Sequence, residues 1–427
     1  MTSTQRSTRR GPLRALLVVV VLAVVAGAGW WGTRQVGEPR ADEPPAAAAA
    51  LGGAPQVRLG PSGADFYDAG EGVAAAGLPG SVIWRRPVDR AGTLEGAVTD
   101  LVLYRSTGAD GELTAVSGLV TVPDRPAPEG GWPVISWAHG TTGLADDCAP
   151  SRAALGGAAR VYSGAMDGFV AEYVERGYAV VRTDYEGLGT PGPHPYLMGE
   201  SQGAAVADIV LAAHALHPGL LSRDWVAVGH SQGGQGALFA TRFAGGDAGP
   251  ARLRGAAALA PPSQMASVLD LLRDGEGLPS SAFIGPLVHS AAVVAGVEPA
   301  EVISEEGLAL LPRLEEECIA ELSAPDSFGG VSTGAFVRDG ADLTRVRATV
   351  STNDAAALDP QVPVLLVHGD QDELVPSLLS DTLSSQYEER GVDLRYTRVP
   401  GAGHVSVLED GRAEVDAWLD EHLPAGG

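Results

Sequence analysis

Short apolar segments alternate with amphipathic segments along most of the chain. Short runs rich in β-forming residues predict strands at residues 115–122, 133–138, 178–183, 225–229, 253–259, 364–367 and 394–399. Apolar positions three and four residues apart predict helices at residues 169–176, 204–217, 234–242, 378–390 and 413–423. Continuous apolar strands separated by helices are typical of a parallel sheet that is covered on both faces. The pattern therefore predicts a doubly wound α/β domain with a mostly parallel sheet.

The alternation of strands and helices stops between about residues 262 and 359. Helical spacing recurs there, at Val268, Leu269 and Leu271 and again over residues 305–322. An insertion of this length is too long for a plain loop in a compact domain. We therefore expect a helical cap, or lid, over the carboxyl edge of the sheet.

The first 36 residues have the pattern of a segment that directs export. Four arginines within residues 6–14 precede the uncharged apolar run 15–31, and residues 26–28 (Ala-Gly-Ala) fit a small-x-small cleavage site. The run also reaches the length of the shortest membrane-spanning helices, and Trp30 and Trp31 stand where interfacial aromatic residues occur. The segment is thus predicted to be either a cleaved signal peptide or a membrane anchor, with the bulk of the chain outside the cytoplasm.

The next segment, residues 37–61, differs in composition from the rest of the chain. It is rich in Pro and Ala and includes an unbroken alanine run at residues 46–50. This composition is typical of a linker. The predicted organisation is therefore an export or anchor segment at residues 1–36, a linker at 37–61 and a folded domain at 62–427.

Composition and charge narrow the classes of function. The chain has 427 residues, of which 45% are hydrophobic, so wholesale disorder is excluded. A net charge of -24, with every one of the 29 basic residues an arginine, argues against nucleic-acid binding because phosphate backbones repel such a surface. Cys148 and Cys318 lie far apart and lack metal-site spacing, and they can form one disulfide in an oxidising compartment or remain free thiols.

Residues 229–233 (Gly-His-Ser-Gln-Gly) match the Gly-x-Ser-x-Gly pattern of a nucleophile elbow. The alternative is a chance glycine-rich turn. The context favours an elbow, because the pentapeptide directly follows the strand 225–229 and precedes the helix 234–242. Small flanking residues allow a sharp turn that exposes the serine, and the helix N-terminus places a positive dipole end beneath it. Ser231 is the predicted nucleophile.

A serine nucleophile needs a histidine base and an acid that orients the base. With this arrangement of strands and helices, the chain order is serine, then acid, then histidine. The turn after the strand 364–367 offers two carboxylates, Asp370 and Asp372. A Gly-x-x-Asp-x-x-Val spacing runs from Gly369 through Asp372 to Val375 and favours Asp372 as the acid. Asp370 is expected to hydrogen-bond within its own turn.

His404 is the predicted general base. It ends the loop 401–404 (Gly-Ala-Gly-His) between the strand 394–399 and the last helix. His230 and His368 adjoin strand ends, where packing or supporting roles are expected. Five further histidines suggest no metal site; they are His194, His214, His217, His289 and His422.

The tetrahedral intermediate of acyl transfer requires two backbone donors directed at its oxyanion. One is expected to be the N–H of Gln232, which follows the nucleophile. The other is expected from the loop 139–143 (His-Gly-Thr-Thr-Gly), which follows the strand 133–138. Within that loop Thr141 is the first candidate and Thr142 the second.

Four segments together resemble the secretory lipase family of α/β-hydrolases. They are residues 137–143 (Trp-Ala-His-Gly-Thr-Thr-Gly), 147–151 (Asp-Cys-Ala-Pro-Ser), 184–189 (Asp-Tyr-Glu-Gly-Leu-Gly) and 229–234 (Gly-His-Ser-Gln-Gly-Gly). The resemblance extends over about residues 67–423. The family includes fungal lipases similar to Candida antarctica lipase A and exported actinobacterial esterases.

The resemblance implies an α/β-hydrolase fold with a helical lid and hydrolysis of carboxylic esters, such as acylglycerols, without a metal or organic cofactor. It implies that Ser231, Asp372 and His404 form the catalytic triad. It also makes a disulfide between Cys148 and Cys318 an expectation, which would tie the oxyanion-side loop to the cap. The expected partner is a small-molecule or lipid ester, with possible membrane attachment through residues 15–31.

Other functions remain compatible with these residues. An acyltransferase or a peptidase can use the same triad, because substrate choice is determined by the pocket rather than by the fold. A catalytically silent binding protein would not be expected to retain the whole set of serine, acid, histidine and oxyanion loop. A dehalogenase is disfavoured, since that chemistry needs a carboxylate at the position of Ser231.

Overall fold

One sheet of nine strands organises the part of the chain that the structure describes. A computed structural model of the protein describes residues 57–425, apart from residues 71, 89–93, 154–159, 244–250 and 274–279. The strands are β1 Val82–Val88, β2 Ala97–Thr107, β3 Leu113–Pro123, β4 Trp132–Ala138, β5 Ala179–Thr183, β6 Leu221–His230, β7 Arg252–Leu259, β8 Val364–Gly369 and β9 Leu394–Val399. Their order across the sheet is β1-β2-β3-β5-β4-β6-β7-β8-β9.

The sheet is antiparallel at one edge and parallel elsewhere. β1, β2, β3 and β5 pair in antiparallel fashion, whereas β5, β4, β6, β7, β8 and β9 pair in parallel. Every residue of β4, β5 and β8 is buried, as expected of parallel strands that are covered on both faces. The prediction of a doubly wound, mostly parallel α/β sheet is confirmed.

Helices of the described residues connect the strands. The α-helices are α1 Pro150–Ala153, α2 Arg160–Glu175, α3 Gly199–Leu216, α4 Gln232–Phe239, α5 Met265–Arg273, α6 Ile284–Val294, α7 Pro299–Val302, α8 Glu305–Leu310, α9 Ile319–Leu322, α10 Thr333–Phe336, α11 Thr344–Thr352, α12 Leu378–Glu389, α13 Val407–Asp410 and α14 Arg412–His422. Short 3-10 helices lie at Gly63–Tyr67, Asp146–Cys148, Ala240–Arg242, Leu311–Glu315, Phe328–Gly330 and Ala355–Ala357.

Helices cover both faces of the sheet because successive strand residues point to opposite sides. Val134 of β4 belongs to an apolar core with residues of α3, α4 and α12. Its neighbour Ile135 belongs to a second core with residues of α2 and α14. The carboxyl edge of the parallel strands, where loops leave β4, β6, β8 and β9, therefore lies between two helical layers.

A helical insertion separates β7 from β8. It contains α5 to α11 and has an apolar core of its own, which includes Leu287, Val288, Phe328 and Phe336. Residues 196–198, from the segment between β5 and α3, also pack into this core. The predicted helical cap is therefore present, and it rests on a segment of the sheet domain.

The described chain starts with a short pairing against the sheet edge. Leu59 forms a parallel bridge with Arg85 of β1, so ordered pairing reaches into the range predicted as linker. The predicted export or anchor run, residues 15–31, lies outside the described residues, and so does most of the predicted linker. Among the described helices, none combines the length and apolar character needed to cross a membrane.

Cys148 and Cys318 form a disulfide, with their Cα atoms 5.5 Å apart. The pairing implied by the family resemblance is thus confirmed, and the free-thiol alternative is wrong. The bond joins the loop region after β4 to the start of α9 in the helical insertion.

Candidate active site

Ser231 stands at a sharp turn between β6 and α4. Its backbone has φ 55° and ψ -122°, a conformation that residues with side chains rarely adopt. The flanking glycines make this turn possible. A Cβ at position 229 would lie 2.1 Å from the carbonyl oxygen of Gly233, and a Cβ at position 233 would lie 2.0 Å from that of Ala138. The turn therefore has the geometry of a nucleophile elbow.

His404 lies in the loop after β9 with its ring between two side chains. Its Nε2 atom is 2.9 Å from the Oγ atom of Ser231. Its Nδ1 atom is 2.7 Å from the Oδ2 atom of Asp372. A carboxylate only accepts hydrogen bonds, so Nδ1 carries the proton and the Nε2 lone pair faces the serine hydroxyl. The structure thus brings together the three residues predicted as a triad.

Asp372 is held in the turn after β8 by several donors. Its Oδ1 atom accepts hydrogen bonds from the backbone N–H groups of Leu374, at 3.0 Å, and Val375, at 2.8 Å. Its Oδ2 atom is also 3.1 Å from the Nε2 atom of His368. Burial by itself raises the pKa of Asp372, but the hydrogen bonds from His368 and His404 outweigh burial and hold that pKa well below its usual range. The side chain is therefore ionised at neutral pH.

The second carboxylate of this turn has a different role. The Oδ1 atom of Asp370 accepts a hydrogen bond of 2.7 Å from the backbone N–H of Gly401, at the start of the loop that carries His404. It also accepts one of 3.3 Å from the side chain of the adjacent Gln371. Asp370 therefore ties the two loops together, while Asp372 contacts the histidine ring.

His230 contacts His404 from the strand side. Its Nε2–H donates a hydrogen bond of 2.7 Å to the carbonyl oxygen of His404, and the two rings lie 4.8 Å apart. Burial and the neighbouring His404 ring lower the pKa of His230 to about 3, so it is neutral.

The two predicted oxyanion donors lie on neighbouring loops. β4 and β6 are paired in parallel, with Ala138 opposite Gly229, so the loop 139–143 and the elbow leave the same edge of the sheet. Gln232 is the first residue of α4, where backbone N–H groups have no partner within the helix. The Oγ1 atom of Thr141 is 2.8 Å from the hydroxyl of Tyr196. The carbonyl oxygen of Thr142, the second candidate, accepts a hydrogen bond of 2.9 Å from the N–H of Ile319.

Several polar side chains around this site were not singled out from the sequence. Tyr196 contacts Thr141, and the buried amides of Gln202 and Gln235 continue a chain that includes Gln232. The signal available was the position of Gln202, a polar residue inside an apolar helix, which calls for a polar partner. Within the described residues, no group of three or more His, Cys, Asp or Glu side chains is placed to hold a metal ion.

Comparison with solved structures shows a shared fold. Candida antarctica lipase A is 19% identical and superimposes with a TM-score of 0.68, over 85% of this chain and 87% of the lipase. A rice cell wall degrading esterase, LipA from Xanthomonas oryzae, is 19% identical with a TM-score of 0.66, over 82% of this chain and 100% of the esterase. The architecture is thus the α/β-hydrolase fold with a helical lid. No curated protein matches the chain.

The sequence pattern that defines the secretory lipases matches residues 158–425, which is more than half of the chain. The matched region includes the elbow, the helical insertion and the loops that carry Asp372 and His404. The chain therefore belongs to the secretory lipase family and is a carboxylic-ester hydrolase.

Proposed function

We propose that the protein is a serine hydrolase that cleaves acyl esters, such as acylglycerols, through a covalent acyl-enzyme. Ser231 is the nucleophile, His404 the general base and Asp372 the residue that orients the base. The observation that carries this proposal is the position of His404, whose ring nitrogens lie 2.9 Å from Ser231 Oγ and 2.7 Å from Asp372 Oδ2. Such an arrangement activates a hydroxyl that is otherwise a weak nucleophile.

In the first half of the reaction, Ser231 attacks the ester carbonyl while His404 Nε2 accepts the hydroxyl proton. Asp372 keeps the proton on Nδ1 and stabilises the imidazolium that forms. The low pKa of Asp372 supports this role, because the carboxylate stays ionised while the ring becomes charged. The imidazolium then gives its proton to the departing alcohol, which leaves the acyl group on Ser231.

The backbone N–H groups of Gln232 and Thr141 are proposed to stabilise the negative oxygen of the tetrahedral intermediate. The N-terminus of α4 favours negative charge at this position. In the second half of the reaction, His404 takes a proton from the water that attacks the acyl-enzyme, and it returns this proton to Ser231 Oγ as the acyl bond breaks and the acid leaves. This sequence of steps uses protein groups and water throughout.

A lipophilic acyl group is the proposed substrate feature. Membership of the secretory lipases supports it. The composition of the insertion supports it as well, since α6 is apolar along most of its length and packs with residues 196–198, next to the loop that carries Thr141. The solved neighbours named above act as a lipase and as an esterase by their descriptions, so both chain-length classes belong in the test.

We also propose that the protein acts outside the cytoplasm, either secreted or anchored through residues 15–31. The disulfide between Cys148 and Cys318 supports an oxidising compartment. The basic start and the apolar run support export. Fractionation of cells that express the full chain separates the two forms, because a secreted form appears in the medium without residues 1–28 and an anchored form remains with the membranes at full length.

The proposed activity is tested with p-nitrophenyl esters of increasing acyl length, using the full chain and Ser231→Ala. Loss of a triad nucleophile lowers turnover on the order of a million-fold. We expect hydrolysis by the parent protein, none above background by the variant, and a chain-length profile that assigns lipase or esterase preference. A folded parent protein with no activity on any ester would contradict the proposal.

A further inference from the structure

The side-chain amide of Gln232 lies in a buried hydrogen-bond chain beneath the elbow. Its Nε2 atom is 2.7 Å from the Oε1 atom of Gln202 and 2.9 Å from the Nε2 atom of His194. The three residues are 1%, 0% and 3% exposed, respectively. Both amide hydrogens of Gln232 are therefore engaged by acceptors that are held inside the protein.

The geometry fixes the direction of each hydrogen bond. The Nδ1 atom of His194 is 2.7 Å from the carbonyl oxygen of Glu186, which can only accept, so Nδ1 carries the proton. The Nε2 atom of the same ring therefore has a lone pair and accepts from Gln232. Burial lowers the pKa of His194 to about 4, so the ring is neutral and keeps this acceptor at neutral pH.

The chain continues away from the elbow toward the helical insertion. The Nε2 atom of Gln202 donates to Gln235 at 3.0 Å, and that of Gln235 donates to the carbonyl oxygen of Asn353 at 2.6 Å. Gln202 lies on α3, Gln235 on α4, and Asn353 directly follows α11. Buried amides that are satisfied at both ends have one stable orientation, so the network defines where the Gln232 side chain lies.

Fixing this side chain also fixes the peptide that precedes it. Gln232 follows Ser231, whose φ of 55° is unfavourable and needs support from its surroundings. Two hydrogen bonds to the Gln232 side-chain amide restrict rotation of the residue whose backbone N–H is the proposed oxyanion donor. Electrostatic stabilisation depends on such preorganisation, because a donor that must reorient loses much of its effect.

We propose that His194 is a positioning residue that holds Gln232, through its side-chain amide, with the backbone N–H directed at the oxyanion. The inference rests on the proposed function, in which Gln232 supplies an oxyanion donor. It assigns a specific role to the segment between β5 and α3, which also contains Tyr196, the partner of Thr141. Both proposed oxyanion residues are then held by side chains from the same segment.

Two substitutions separate the two hydrogen bonds of His194. In His194→Gln the amide reaches the position of Nε2 and retains an acceptor for Gln232. In His194→Asn the amide occupies the position of Nδ1, so it keeps the contact with Glu186 but does not reach Gln232. We expect His194→Gln to stay within about threefold of the parent kcat and His194→Asn to lose about tenfold or more, with KM nearly unchanged in both, because oxyanion contacts act mainly in the transition state.

A double-mutant cycle tests whether His194 acts through Gln232. Gln232→Leu removes the side-chain amide but keeps the backbone N–H. Because the amide no longer positions that N–H, Gln232→Leu should lower kcat by itself. If His194 acts through that amide, adding His194→Asn to Gln232→Leu should lower kcat no further. The proposal would be overturned if the fold-loss of kcat in the double variant equalled the product of the two single losses. It would also be overturned if His194→Asn were more active than His194→Gln.

Controls distinguish this proposal from the proposed function. His214→Gln changes a histidine of α3 that lies outside the network and is expected to leave kcat and KM unchanged. The rate at which a fluorophosphonate reagent labels Ser231 gives a second measurement, because phosphonylation also develops charge on an oxygen in the oxyanion site. Lack of ester hydrolysis by the parent protein would contradict the proposed substrate class, whereas equal labelling rates in His194→Asn and the parent would overturn the role of His194 alone.

Discussion

Asp370 and Asp372 are two positions apart, yet they have different neighbours. Asp372 contacts the ring of His404, whereas Asp370 accepts a hydrogen bond from Gly401. We predict that Asp372→Asn lowers kcat by about 10⁴-fold, because an amide at this position favours the wrong tautomer of His404. Steady-state hydrolysis of a p-nitrophenyl ester measures the loss.

Asp370→Asn is the matched control for this change. The asparagine keeps a carbonyl oxygen that can accept the hydrogen bond from Gly401. Because the substitution removes only the charge from one exposed hydrogen bond, kcat is expected to remain within about threefold of the parent value. If Asp370→Asn were the more damaging substitution, the proposed acid would be the wrong residue of the pair.

Burial of the neutral His230 makes stability depend on pH. Its pKa is lowered to about 3 in the folded protein, while an unfolded histidine titrates near pH 6.5. As pH falls below about 6.5, the unfolded state therefore binds a proton that the folded state does not. The free energy of unfolding should fall by up to about 1.4 kcal/mol per pH unit for this residue, over the window from pH 6.5 toward the folded pKa.

We predict that His230→Gln has a shallower decline of stability with falling pH than the parent protein. The glutamine amide keeps a donor for the carbonyl of His404 but does not titrate. Denaturant unfolding at pH 7 and at pH 5 measures the difference in slope. Equal slopes in the two proteins would mean that His230 titrates alike in the folded and unfolded states.

The elements around the site were predictable because their signals are local. β6 and β8 contain apolar runs, and β9 is a short strand with Tyr396 and Thr397 at its centre. Each is followed by a turn with glycine, and the spacing around Ser231, Asp372 and His404 is contained in those turns. Parallel strands end at one edge of the sheet, so residues far apart in sequence were expected to meet there. Local pattern and topology together were sufficient for this part of the fold.

Elements stabilised by distant partners were not predictable in the same way. β1 and β2 were missed, since β1 contains Arg85 and Arg86 and shows no clear alternation of apolar residues. Arg85 forms an ion pair with Asp100 of β2, in which Nη1 lies 2.6 Å from Oδ1, and this contact forms once the strands have paired. The contact of His194 with Gln232 was hidden for the same reason, because it joins the segment between β5 and α3 to the start of α4 through tertiary packing.

The elbow between β6 and α4 depends on close backbone approach. We predict that Gly233→Ala destabilises the protein by about 1–3 kcal/mol or more, because its Cβ would lie 2.0 Å from the carbonyl oxygen of Ala138. The turn must then shift, and displacement of the reacting groups by about 1 Å costs on the order of 10²-fold in rate. Thermal unfolding and kcat measure the two effects.

Gly236→Ala, one turn further along α4, is the matched control. The nearest atom to a Cβ at this position is Cβ of Gln202 at 3.6 Å, an ordinary contact distance. Alanine in a helix interior is favoured over glycine by about 0.5–1 kcal/mol, so stability should be equal or higher and kcat unchanged. If Gly233→Ala and Gly236→Ala had the same stability and kcat, the elbow would accommodate a Cβ at position 233 without loss, and the prediction would be wrong.

On the scale of the whole molecule, the helical insertion is attached covalently to the sheet domain close to the loop 139–143. The disulfide joins Cys148 to Cys318 across 170 residues of sequence. Beside it, Gly143 forms an antiparallel bridge with Cys318, and Ile319 donates to the carbonyl of Thr142 at 2.9 Å. The part of the lid around α9 is thus fixed to the loop that carries Thr141, so any opening of the lid has to pivot around this attachment.

We predict that the double variant Cys148→Ser/Cys318→Ser loses about 2–5 kcal/mol of stability, because the link no longer restricts the unfolded chain. Its kcat should also fall, since the loop next to Thr141 keeps the bridge to α9 but loses its covalent support. Denaturant unfolding measures the first effect and ester hydrolysis the second. The parent protein with its disulfide reduced is the control, because it lacks the bond but keeps both cysteines. A loss of stability with unchanged kcat would mean that the hydrogen bonds of Thr142 and Gly143 hold the loop 139–143 in place without the disulfide.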